Sequence, residues 1–159
     1  MKTRSVCFIC EIFLSLALTL SVLAAKQAVA SDQSDAMAPV HQFVDGFNKG
    51  DLTAAIAACA NEAFVIDDFP PHGWQGSGCE KWADGFRVIA KEEGITDARI
   101  LLGKPRHVDV TGDHAYVVVP VTLVTKHFGK SKKLPSIFTA SLHKEPQGWR
   151  ITGWAWADL

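Results

Sequence analysis

The sequence predicts an α+β fold, three helices covering one face of a curved antiparallel sheet. Two observations predict it. Apolar residues recur at helical spacing up to Gly94, and almost every later segment is β-branched or aromatic and bounded by turn residues. A sheet with one apolar face needs a covering layer, and helices that come first in the chain can supply it.

The first 30 residues stand apart. They begin with the basic Met1-Lys2-Thr3-Arg4, continue through an apolar run from Ile12 to Ala25, and reach Ala28-Val29-Ala30, the small-x-small pattern of a signal cleavage site. That run is shorter than the roughly 20 apolar residues of a spanning helix, and Glu11 stops its extension. The expected organisation is a signal peptide over 1–30 and one domain over 31–159, secreted or periplasmic and free of the membrane. Of the chain's 16 basic and 17 acidic residues, Lys2, Arg4, Lys26 and Glu11 fall in the leader, so 13 and 16 remain, a net charge of −3. Nucleic-acid binding wants a basic face, and this balance argues against it.

In the domain, Met37, Val40, Val44 and Phe47, with Phe43 beside them, mark a first helix that Ser34 or Asp35 could cap. Gly50 suits a left-handed helix end, and Asp51 can cap a short second helix with Leu52, Ile56 and Cys59 on one side. The strand AFVID follows. Ser77 and Glu80 then have the spacing of a capping box for a third helix, with Cys79, Trp82, Phe86 and Ile89 inward and Gly94 at its end. The strands ARILLG, RHVDV, HAYVVVPVTLVTK, PSIFTASLHK and GWRITGWAWA complete the chain, and Pro120 within the longest implies an edge, a bulge or a bend. Cys59 and Cys79 are the cysteines left once Cys7 and Cys10 go with the leader. In an exported chain they are expected to form one disulfide, with two buried free thiols as the alternative.

The stretch from Val40 to Asp67, VHQFVDGFNKGDLTAAIAACANEAFVID, joins an apolar helix, N-x-G-D-L, an alanine-rich helix and a strand ending in an acid. With Trp74-x-Gly76 and the C-terminal GWRITGWAW, it resembles the nuclear-transport-factor-2-like superfamily, which includes the SnoaL-like domains. The resemblance implies a cone-shaped sheet wrapped around the helices, with a pocket at the open end. Against the ketosteroid isomerases of that superfamily, Asp67 falls at the general-base position and Gly76 at the glycine that opens the third helix. Two departures follow. The isomerase tyrosine that donates to the oxyanion corresponds to Phe43, and its neutral carboxylic acid falls near Ala140. Losing one such donor costs about a hundredfold in rate or more, so ketosteroid isomerisation is not expected.

Asp67 and Asp68 point to opposite faces if the strand runs through both. The resemblance turns Asp67 inward, where burial would raise its pKa toward that of a working base; alternatively both carboxylates accept backbone hydrogen bonds in the turn before Pro70. His72 could pair with an aspartate across that turn or simply be exposed. Trp74 either closes a pocket wall or packs beneath the third helix. In the last strand Gly153, Ala155 and Ala157 alternate with Trp154 and Trp156. The resemblance puts the small residues toward the cavity and the tryptophans on the outer face, where a homodimer would cover them, with the opposite assignment open. The expected pocket is Phe43, Phe64, Asp67, Trp74, Phe138, Ala140, Gly153 and Ala155, with Asp67 and His72 as the candidate catalytic pair. His41, His107, His114, His127 and His143 show no metal-ligand spacing along the chain, so neither metal nor other cofactor is expected. Two function classes remain. One is an exported module binding a small, mostly apolar ligand; the other is an enzyme of isomerase, dehydratase or cyclase type with Asp67 as its base.

Overall fold

A computed structural model describes residues 32–159, so the expected signal peptide over 1–30 lies outside the described residues. Helix α1 spans 32–48 and buries Met37, Val40, Phe43, Val44 and Phe47, the stripe that its spacing announces. It is already helical two residues before Ser34, so neither Ser34 nor Asp35 is its cap. The apolar pattern starts only at Ala36, and a polar first turn carries no periodicity to read.

Gly50, at φ +72°, ends α1, and the Asp51 carboxylate accepts from the Ala54 N–H at 2.9 Å to cap α2 (Leu52–Ile56). The turn is tight because a Cβ on Gly46 would stand 2.4 Å from the backbone nitrogen of Ala55. Asn48 fixes this corner to the sheet. Its side-chain amide donates to the Ile100 carbonyl at 2.9 Å and accepts from the Ile100 N–H at 2.7 Å, as a neighbouring strand would. Helix α3 (Gly78–Glu92) starts after Ser77, but the Ser77 side chain makes no capping hydrogen bond, so the expected capping box does not form. A disulfide joins Cys59 to Cys79 with Cα atoms 6.6 Å apart, tying the first strand to the first turn of α3. Closing a loop of this length contributes about 3 kcal/mol in the chain-entropy model.

The strands are β1 (Cys59–Ile66), β2 (Gly73–Trp74), β3 (Ile95–Leu102), β4 (His107–Thr111), β5 (His114–His127), β6 (Lys130–Glu145) and β7 (Gly148–Asp158). They form one sheet in the order β2-β1-β7-β6-β5-β3, with β4 also paired to β5. The α+β class is as expected. The sheet is mixed, because β1 runs parallel to β7 while the remaining pairs are antiparallel. On the edge of β5 away from β6, Pro120 occupies the gap between β3 and β4: Leu102 of β3 pairs with Val121, and His107 of β4 pairs with Val118. The donor that proline lacks falls on that edge, where no strand runs alongside to accept it.

The inner face of the sheet is set by Val117, Val119, Phe138, Leu142 and Ile151, all at or below 2 % exposure. Along β7 the phase then changes. Trp149 and Ile151 are buried, and strict alternation would turn Gly153 and Ala155 inward after them. Instead the register between β6 and β7 shifts at Ser141/Leu142, placing one extra residue, Thr152, in β7. Gly153 and Ala155 therefore face outward, and Trp154 and Trp156 face the helices. This corrects the expectation of small residues at the cavity and tryptophans on the outer face. Trp154 packs edge-on against Trp82 at 4.9 Å and beside Phe43 at 5.5 Å, joining all three aromatic rings in the core. No helix among the described residues is long and apolar enough to cross a membrane.

Candidate functional site

Between α1, α3 and the bent ends of β5, β6 and β7 lies a cavity of about 270 Å³. Phe43 and Phe47 come from α1, Trp82 and Phe86 from α3, and Trp154 and Trp156 from β7. Leu123, His127 and Leu134 close the side where β5 turns into β6. Ligand sites are mostly apolar with a few placed polar groups and run from about 300 Å³ upward. The lining here is of that kind, and a volume just under that range limits the occupant to a molecule of few atoms.

Asp67 directly follows β1. The alternation that buries Ala63 and Val65 and exposes Phe64 and Ile66 turns its side chain inward, where it is 9 % exposed and lines the cavity. The Trp82 indole N–H donates to its Oδ2 at 2.6 Å, and the Asp68 N–H donates to its Oδ1 at 2.8 Å. Both bonds favour the carboxylate. Burial among aromatic rings opposes them and prevails, raising the Asp67 pKa from the ordinary 3.8 to about 7. Asp67 takes both expected roles, accepting a backbone hydrogen bond at the turn and facing the cavity. Among the described residues no backbone N–H reaches the Asp68 carboxylate. Because β1 ends at Ile66, the two aspartates are not split between opposite faces, and both line the cavity.

The turn positions that carboxyl. The Asp67 N–H donates to the His72 carbonyl at 3.3 Å, and the His72 N–H donates to the Phe69 carbonyl at 2.9 Å, around a cis Pro70-Pro71 bond. His72, with φ +68°, turns its ring toward the Asp67 backbone, with Nδ1 3.3 Å from that carbonyl oxygen. It is exposed and does not line the cavity, so the structure does not form the expected side-chain pair with Asp67. Trp74 packs beneath α3 on Phe69, with ring centroids 5.0 Å apart, and is not a cavity wall. Phe138 and Ala140 lie in the core outside the lining. Phe64, Gly153 and Ala155 belong to the outer face: Phe64 because it alternates with Val65, the other two because of the β7 bulge.

Several lining residues escape a reading along the chain. Trp82 reads only as a core position of a helix, although its N–H is what holds Asp67. At the mouth, Asp158 Oδ1 accepts from Ser136 Oγ at 2.8 Å and from the Trp156 indole at 3.1 Å. Across the opening, His127 Nδ1 lies 3.6 Å from a Glu93 carboxylate oxygen and 3.2 Å from Lys132 Nζ. These groups come from the ends of separate elements, and nothing in their sequence positions joins them. The Trp154 indole N–H is buried and has no hydrogen-bond partner among the described residues.

No family model matches the chain, and no curated protein sequence matches it. Solved structures do. An NTF2-like protein with a cystatin-like fold from Novosphingobium aromaticivorans superposes with a TM-score of 0.69 at 19% identity, covering 88% of this chain and 90% of that one. An NTF2-like superfamily protein from Salmonella enterica gives 0.68 at 15%, covering 82% and 92%. A ketosteroid isomerase-like protein from Erwinia carotovora gives 0.65 at 16%, covering 80% and 96%. At these identities the likeness is one of fold.

Proposed function

For a chain with the nuclear-transport-factor-2-like fold, we propose an exported protein whose cavity binds a small, mostly apolar molecule and in which Asp67 takes up and returns a proton. The observation that carries this reading is the Asp67 carboxyl, 9 % exposed among aromatic rings and with its pKa raised to about 7. An ordinary aspartate is too weak a base to serve well at neutral pH, whereas a group poised near 7 combines availability with driving force. Trp82 fixes one carboxylate oxygen and the Asp68 N–H the other, so the group is aimed as well as tuned.

The reaction class is isomerisation, dehydration or cyclisation through proton transfer. Ketosteroid isomerisation itself is not part of the proposal, because Phe43 lines the cavity without a donor and Ala140 lies outside it. Those two positions also support a second reading, a binding module without turnover. Export rests on the leader-like sequence, and the Cys59–Cys79 disulfide is in keeping with an oxidising compartment.

A second copy is the proposed partner, through the outer sheet face. There Phe64, Gly153, Ser141 and Tyr116 lie in one cross-strand row, with Phe64 42 % and Tyr116 47 % exposed. The row has two raised aromatic rims around a floor of small residues, a shape that can pack on its own two-fold mate.

Native mass spectrometry of the protein as its cells yield it tests the binding, with the expected outcome a retained small molecule. Conversion of that molecule is then compared between the wild type and Asp67→Asn. The enzyme reading expects a rate that rises with pH through about 7 and falls at least a hundredfold in the variant. Equal conversion by both proteins would remove Asp67 from the mechanism, and retention without conversion would leave the binding module.

A further inference from the structure

The strand ends opposite the cavity mouth hold a cluster unconnected with Asp67. The chain turns from β4 into β5 at Gly112-Asp113, with Gly112 at φ +62°, and β5 begins at once with His114. The β5–β6 register sets His114 directly across from His143. Asp113 Oδ1 lies 3.2 Å from His114 Nε2, and its Oδ2 lies 3.2 Å from His143 Nε2. The two imidazole rings stand with centroids 4.8 Å apart.

We propose that Asp113, His114 and His143 bind one divalent transition-metal ion of the Zn²⁺, Cu²⁺ or Ni²⁺ class. The donor set is right for these ions, since imidazole nitrogen with one carboxylate suits them and does not suit Ca²⁺ or Mg²⁺, which prefer all-oxygen shells. The spacing is right too. Ligand atoms about 2.0–2.1 Å from one metal stand roughly 2.9–3.4 Å apart at tetrahedral or right angles. Here each imidazole nitrogen stands 3.2 Å from a different oxygen of Asp113, contacts of hydrogen-bond length that a bound ion would replace. All three ligand atoms lie within 4.8 Å of one another, so small side-chain rotations bring the second imidazole into the shell.

The backbone beneath the cluster is held. Asp113 sits in a two-residue hairpin turn, and its carbonyl accepts from the Lys144 N–H at 2.8 Å, tying the turn to the residue after His143. The three side chains are open to solvent, with 73 %, 62 % and 38 % of the His114, Asp113 and His143 side chains exposed, so an ion can enter directly. Three protein ligands leave at least one position for water or another ligand. The site was invisible along the chain because His143 reaches the Asp113-His114 pair only through the pairing of β5 with β6.

Isothermal titration of the tag-free protein with ZnCl₂ and with CuSO₄ tests this, together with electron paramagnetic resonance of the Cu²⁺ form. The expected result is one ion per chain, a spectrum with nitrogen coupling, and affinity weakened at least tenfold in both His143→Ala and Asp113→Asn. His107→Ala, on the neighbouring strand, keeps the wild-type affinity. Absence of binding at millimolar metal would overturn the proposal, as would equal affinity in the wild type and the two ligand variants, each checked as folded by circular dichroism.

Discussion

At the scale of single residues, the tuning of Asp67 carries a thermodynamic consequence. Its folded-state pKa of about 7 lies above the ordinary 3.8, so between those values the folded chain holds a proton that the unfolded chain has lost. Stability from this group is therefore fully present below about pH 4, declines as pH rises, and is lost above about 7. The span corresponds to an upper bound on the order of 4 kcal/mol. Asp67→Asn cannot titrate, so denaturant unfolding across pH 4 to 8 should show the wild type losing stability relative to the variant as pH rises. A difference that stays constant with pH would mean the carboxyl titrates normally. The strand end marks the pair Asp67-Asp68 and the family resemblance singles out Asp67, whereas nothing along the chain marks its partner Trp82. A helix-period tryptophan signals burial and says nothing of where its N–H points.

At the scale of elements, local rules located the helices and most strand runs and went wrong where a register changes. The alternation of β7 separates its small residues from its tryptophans, but a bulge is a relation between two strands. Thr152 looks like any strand residue until β6 is laid beside it. One inserted residue exchanges the two faces, and with them the pocket and the outer surface. Asn48 shows the same limit from the other side. Its N-x-G-D-L neighbourhood marks a helix end, but its side chain serves as a strand partner for Ile100, 52 residues away. Asn48→Ala removes both of those hydrogen bonds from the corner where α1 meets β3. Urea unfolding should show a loss of about 1–3 kcal/mol, the usual cost of leaving partly buried backbone groups without partners. A change under about 0.3 kcal/mol would mean that water replaces the amide there and the corner is held by packing alone.

At the scale of the whole molecule, the bent sheet has two faces with different work. The concave one meets the helices and leaves the cavity with Asp67 in its wall; the convex one presents the Phe64–Gly153–Ser141–Tyr116 row. If that row joins two copies, sedimentation velocity should give a dimer for the wild type and a monomer for Phe64→Glu, whereas a monomeric wild type would refute the interface. Fold class was legible because periodicity and turn chemistry are local properties that the sheet does not override. The cavity was legible only in part, since its lining gathers residues from six elements and the loop after β1, and their meeting depends on how the sheet bends. Everything proposed for the cavity depends on the protonation of one buried carboxyl. Carbon-13 NMR of the aspartate side chains, with Asp67 assigned by its absence in Asp67→Asn, measures this directly. A titration midpoint near pH 7 is expected for that carboxyl, and a midpoint near pH 4 would refute its role.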